Sequence, residues 1–332
     1  MARWLVLSLL LAGCLAPGDG GSMPDAAAPR DLFMVSGASQ LSETGLYADF
    51  SSRTLTPGVI AFAPRYPLWS DGSQKKRYLW LPPGTQIDTS QMDHWQFPVG
   101  TKIWKEFSID GQVVETRLIE KKYPTPTGWW VISYVWNSER TKATAAPEGV
   151  DNVLGTSHKV PAQEDCMRCH SGVRDVAIGV SAIQLSVKDG QGLLWQLAVA
   201  GQLSHPPAHE FEVPGTGVVR EALGYLHGNC GHCHNSESLL NLGKHPIPLK
   251  LRLLVGQLTP ADTDTYLTGG SKAYHNIDGT MNSLVPGHPE LSQLVNRMAR
   301  RDDDAMPPVG TKQPDPAALK TITDWISSLD HF

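Results

Sequence analysis

This chain has no cysteine to spare. Five of its 332 residues are cysteine, and four of them fall inside two short, similar phrases, so no set is left over for a disulfide framework. It also lacks a basic excess. Its 28 Lys and Arg stand against 33 Asp and Glu, a formal net charge of -5, which removes the electrostatic footprint of a nucleic-acid binder. After the first residues, no apolar run approaches the roughly 20 residues a membrane helix needs. Neither a nucleophile elbow nor a phosphate-binding loop is present.

The one strongly apolar run is at the start, "MARWLVLSLLLAGCLAPGDGG". Arg3 precedes an apolar core from Trp4 to Ala12, the pattern of an export signal and short for a bilayer span. The run ends in Leu11-Ala12-Gly13-Cys14, which resembles the lipobox of bacterial lipoproteins. The resemblance implies lipidation at Cys14 and a membrane anchor in the cell envelope, periplasmic or outer-membrane. An ordinary secretory signal (residues 1–14) cleaved near a chance cysteine is the alternative, and both predict export. Residues 15–32 are rich in Gly and Pro and read as a flexible tether.

From 33 to 160 the punctuation predicts strands. Asp71-Gly72 and Asp110-Gly111 mark turns, and "GWWVISYVWN" is rich in β-branched and aromatic residues. Beyond 160, "GQGLLWQLAVAGQL", "TGVVREALGYLHG", "GHPELSQLVNRMARR" and "DPAALKTITDWISSL" carry apolar residues at helical spacing. The expected fold is therefore a multidomain β + α chain. An all-β sandwich or jelly roll comes first, then a first motif segment at 161–212 and an all-α part at 213–332.

The two similar phrases are "EDCMRCHSG" and "GNCGHCHNS". Each sets two cysteines around two residues and follows the second with histidine: Cys166, Cys169, His170, then Cys230, Cys233, His234. Zinc could take thiolates and imidazoles, even as one four-cysteine centre. A redox dithiol belongs at a helix N-terminus in a βαβ setting, whereas here a predicted helix ends at the second pair. In covalent c-type haem the two thiols add to the vinyl groups and the adjacent histidine becomes an axial ligand. That chemistry explains why histidine follows immediately both times; zinc does not. The expected cofactors are two covalent c-type haems.

A helix leading into Cys230, the attachment phrase, "DAMPPVGT" and a final helix resemble, in that order, a class I cytochrome c domain. The resemblance implies Met306 as sixth ligand to the second haem. Met281 is its rival, without flanking prolines, and Met298 lies on an apolar helix face. No methionine occurs between Ser171 and Asn229, so the first haem has no local Met. His158, His205 and His209 are the nearby candidates for its sixth ligand, with His94 and Met92 further off. His158 leads because it shortly precedes the motif on a stretch pinned by Pro161, and an open position is a further option. The phrases "YPLWSDGSQKKRYLWLPPGTQI", "FPVGTKIWKEF" and "GVSAIQLS" resemble a family of bacterial di-haem c-type cytochromes with a β-rich N-terminal half.

Three functions follow as expectations. The first is an electron carrier passing electrons between redox partner proteins. The second is a haem enzyme of peroxidase type with an open iron at the first haem. The third is a partner- or glycan-binding β domain on a haem-carrying module. His232, inside the second phrase, reads as a spacer or a tuning group. Lys75, Lys76 and Arg77 read as a solvated turn or a docking patch, and Trp129, Trp130 and Trp136 as core.

Overall fold

The computed structural model describes residues 37–175, 177–187, 192–238 and 246–332. Cys14, the export signal and the tether lie outside these residues. Among the described residues no helix is long and apolar enough to cross a membrane.

A small hairpin, β1 (Tyr47–Asp49) with β2 (Thr54–Leu55), precedes a six-stranded antiparallel sheet in chain order. Its strands are β3 (Ile60–Phe62), β4 (Gln74–Trp80), β5 (Lys102–Ile109), β6 (Gln112–Lys121), β7 (Trp129–Trp136) and β8 (Ala143–Ala145). The Asp110-Gly111 turn is as predicted: both residues have positive φ, 47° and 76°, the two-residue turn whose twist matches the strands it joins. Then come α1 (Cys166–His170), α2 (Ala182–Leu185), α3 (Leu193–Val199), α4 (Gly217–Asn229) and α5 (Asp264–Gly269). A second hairpin, β9 (Lys272–Ile277) and β10 (Thr280–Asn282), interrupts the helices before α6 (Gln293–Ala299) and α7 (Pro316–Ser327).

This order corrects the expected sandwich followed by an all-α part. Strands and helices are interspersed along the chain, and the architecture is mixed α/β. The reason lies on the two faces of the sheet. Side chains alternate between faces, and one face carries Tyr78, Trp104, Leu118 and Ile132 in register across four strands. Leu41, Leu46 and Tyr47 cover it. The opposite face carries Leu79, Ile103, Ile119 and Val131 in register. These pack on Leu185, Leu193, Leu194 and Leu197 of the helical half instead of a second sheet. A strand such as β7, buried on both faces along almost its whole length, reads the same whichever element covers it.

The expected resemblance to a di-haem cytochrome family with a cytochrome c-like helical domain is corrected with it. Helices α4 and α7 do share a core, Ala222 and Leu226 with Ala318, Ile322, Trp325 and Ile326. Asp315 caps α7 by accepting from Ala318 N at 3.1 Å, with Pro316 in its first turn. Between the two helices, however, lies the β9–β10 hairpin, and the "YPLWSD" stretch of the N-terminal half is built into α4. A Cβ on Gly224 would meet the ring of Tyr66, and Trp69 N donates to Asn229 Oδ1 at 2.6 Å. The terms cytochrome c, haem binding and electron transfer therefore take no support from the fold. Leu291, expected on the face of a helix, lies in a 3-10 turn before α6 and is exposed.

One buried polar cluster ties the halves together. Asp175, 2 % exposed, pairs with Lys121 at the end of β6. It also accepts from Trp129 Nε1 at 2.8 Å and from Phe97 N at 2.5 Å. Removing one partner of a buried pair strands the other and costs about 3–5 kcal/mol. Asp175→Ala is expected to lower unfolding free energy by about that amount, read from urea denaturation. A loss no larger than a typical surface substitution would mean the cluster holds nothing together.

Candidate functional site

Between the sheet and the helical half lies a cavity of about 750 Å³, within the size range of small-molecule and cofactor sites. Both cysteine phrases wall it: Cys166, Cys169 and His170 from α1, and Cys230, Cys233 and His234 from the turn that ends α4. All four cysteines are free thiols.

The phrases lie against each other. Asn235 Nδ2 donates to the carbonyls of Gly172 at 2.8 Å, Gly231 at 2.9 Å and His232 at 3.2 Å, so one side chain straps the exit of the first phrase to the second. A Cβ on Gly172 would collide with the His232 carbonyl, so glycine permits this approach.

His234 is oriented. Its Nδ1 lies 2.9 Å from the Leu249 carbonyl, and as donor there it leaves Nε2 as the basic, ligating nitrogen. Burial shifts the ring toward its neutral form. The thiols are held protonated: burial pushes Cys230 and Cys233 up to about 12, Cys166 up to about 11, and Cys169 up as well. A reactive dithiol needs the opposite shift. Among the described residues no three His, Cys, Asp or Glu side chains gather to hold a metal ion, so the zinc reading has no assembled donor set.

The other predicted residues divide. Met306 and His158 both reach the cavity wall. Met306 is fixed by its N–H donating to the Arg297 carbonyl at 2.9 Å. His158 is buried with Nε2 2.7 Å from Glu115 Oε2, so Nδ1 is the nitrogen left over. Met298 also borders the cavity, but belongs to the α4–α7 core. His205, His209, His94, Met92 and Met281 do not line it. His205 contacts Ser204, His209 packs on Phe211, and His94 pairs with Glu237. Met92 packs against the apolar core between the sheet and the helical half, and Met281 is exposed. His232 lines the cavity with a buried Nδ1 that has no hydrogen-bond partner among the described residues. Trp129, Trp130 and Trp136 are core.

Several residues of the wall escaped the sequence reading. Lys105 of β5 and Arg117 of β6 face the cavity, and Glu115 grips Arg117 with contacts of 2.6 Å and 3.0 Å. Burial opposes ionisation of Glu115, but Arg117 and His158 outweigh it and lower its pKa to about 2. Burial, then Arg77 and Arg117, lower Lys105 to about 7. Lys75 and Arg77 correct the expected solvated turn: they sit on β4, Lys75 partly and Arg77 fully buried. Only cross-strand pairing shows these residues as one group.

Comparison with family models, curated proteins and solved structures finds no match to this chain.

The raised thiol pKa values fix a pH dependence. An unfolded cysteine ionises near ~8.5, well below its folded value here, so above that pH the unfolded chain has bound fewer protons. Stability of the haem-free chain is expected to be level with respect to the thiols below about pH 8, then to fall as pH rises toward 11. Urea midpoints across that range check it. A chain with Cys166, Cys169, Cys230 and Cys233 replaced by serine should lose this slope, and an unchanged slope in that variant would refute the assignment.

Proposed function

We propose that the chain is an exported electron carrier that holds two covalent haems, one per cysteine phrase. The observation that carries this reading is the meeting of both phrases, with their histidines, on one cavity wall. The donor chemistry fits the group. Each phrase offers two protonated thiols and a histidine, and the His234 ring is already turned by Leu249. Cys166 and Cys169 would hold one haem with His170 as axial ligand. Cys230 and Cys233 would hold the other with His234, and Met306 is the candidate opposite it. His158 is the candidate opposite His170, through Nδ1, since Glu115 occupies Nε2. Haem iron supplies one-electron chemistry, with a potential set by axial ligands, hydrogen bonds and burial.

The remaining residues do what a carrier requires of its protein. Asn235 holds the two phrases together, and sheet residues line one side of the cavity. Electrons would pass to and from partner proteins, and export is read from residues 1–14.

The test is a covalent-haem count and visible spectrum on protein produced with the c-haem maturation machinery. Wild type should carry two haems per chain. Cys166→Ser/Cys169→Ser and Cys230→Ser/Cys233→Ser should each carry one, and Met306→Ala should turn one haem high-spin or shift its ligand-field spectrum. No covalent haem in wild type would sink the reading. A wild-type haem that is high-spin and binds carbon monoxide would favour a haem enzyme.

A further inference from the structure

The hairpin that interrupts the helices is irregular where it meets the cavity. Between the pairs Ile277–Thr280 and Lys272–Asn282, β9 has four residues, 273–276, where β10 has Met281 alone. Such a bulge bends its strand and re-aims side chains, and bulges gather next to active sites. Three of the four, Ala273, Tyr274 and His275, line the cavity, and Met281 does not.

His275 is exposed, and among the described residues its ring has no hydrogen-bond or ion-pair partner. Its backbone is held by α6. Gln293, 2 % exposed, donates from Nε2 to the His275 carbonyl at 2.5 Å and to the Thr280 carbonyl at 2.7 Å. At the hairpin turn, Arg300 donates to Asp278 at 3.0 Å. The same helix holds Met306, whose N–H donates to the Arg297 carbonyl at 2.9 Å. Gln293 and Arg297 both line the cavity, one turn apart, about 6 Å along the helix axis. Arg297 also stands within electrostatic reach of His234. One helix therefore positions the backbones of an imidazole donor and a thioether donor beside the histidine of the second phrase.

Among the described residues five histidines line the cavity: His158, His170, His232, His234 and His275. His170 and His234 belong to the attachment phrases, and His158 is held by Glu115. His232 lies inside the second phrase itself, so it cannot stand across a haem from His234. His275 is the one left without a task.

We propose that His275 is a second axial donor for the haem attached through Cys230 and Cys233, exchanging with Met306 on oxidation. This rests on the haem reading above. Methionine ligation raises a haem potential, so the thioether favours ferrous iron and imidazole has its advantage on ferric iron. In the exchange the iron–sulfur bond to Met306 breaks and an iron–nitrogen bond to neutral His275 forms. One electron leaves to the redox partner protein, and no proton is transferred.

The test starts with the haem count of the matured full-length protein. Cys166→Ser/Cys169→Ser then leaves the second haem alone, free of overlap from the first. Oxidised, it should give a low-spin bis-imidazole electron paramagnetic resonance signal and lack the near-infrared band of methionine-bound ferric iron. Reduced, it should show the upfield-shifted methyl resonance of a haem-bound methionine, which Met306→Ala removes. Adding His275→Ala should bring the methionine band into the oxidised protein, and added imidazole should abolish it again. The same change should raise the potential by about 59 mV or more, a tenfold shift in the one-electron equilibrium. Its Tm should stay that of the parent, because the lost ring has no partner in the fold. A methionine band already present in the oxidised parent, or a bis-imidazole signal that survives His275→Ala, overturns the proposal and leaves the haem reading standing. If the single-haem variant does not mature, His275→Ala is compared with wild type, where one haem of the two should respond; none responding overturns the proposal. No covalent haem in wild type fails the earlier reading and this one with it.

Discussion

The arrangement of this molecule depends on one buried carboxylate. Asp175 lies five positions after His170, and its two oxygens are claimed by Lys121, Trp129 and the backbone N–H of Phe97. Those partners come from the end of one strand, the start of the next and the loop leading into a third. An ion so thoroughly desolvated persists because its acceptor sites are filled, and it specifies position more than it adds stability. Its effect is to fix the exit of the first cysteine phrase against the sheet. At the other end of α1, a helix of five residues, Gln163 Nε2 donates to the Val131 carbonyl at 2.7 Å, so both its entry and its exit are tied to the sheet.

From that anchor the second phrase follows by close backbone approach. Gly172 lies against the His232 carbonyl, and Asn235 donates across the junction to the Gly172 carbonyl and, within its own phrase, to those of Gly231 and His232. The phrases are about sixty residues apart in sequence, yet they are joined by this close approach and by the Asn235–Gly172 hydrogen bond. Helix α4, which delivers the second phrase, is in turn held by residues 66–71 of the N-terminal half. Trp69 reaches Asn229 on one side and the Gln313 carbonyl on the other, while Asp71 accepts from the N–H groups of Lys312 and Gln313 at 2.9 Å. Each half of the chain therefore supplies part of the other's scaffold.

What the sequence made legible was local. The phrases, the Asp110-Gly111 turn, the tryptophan core and the amphipathic helices depend on neighbours within a few positions, and residue patterns report such neighbours directly. The fold class was misread because burial on both faces of β7 does not say whether a sheet or a set of helices lies across from it. The cation row was invisible for a related reason. Arg77, Lys105 and Arg117 are each one charge in an alternating strand, unremarkable until register aligns them. The turn reading of Lys75 and Arg77 failed because "SQKKRYLW" was weighed by its charge and not by its alternation, in which Arg77 and Leu79 share a face.

That shared face joins structure to chemistry. Along one surface of the sheet, the row Leu79–Ile103–Ile119–Val131 buries apolar area against the helices. The neighbouring row, two residues along each strand, buries charge instead. Apolar side chains in the second row would have extended the same core and avoided both desolvation and repulsion. Local rules broken at one place, where the rest of a sheet keeps them, mark function more often than accident. The break, through Lys105 and Arg117, faces the cavity that both cysteine phrases also line. Position, charge and thiol chemistry meet at that cavity, where the thiols are held protonated and, among the described residues, no three metal-ligating side chains gather.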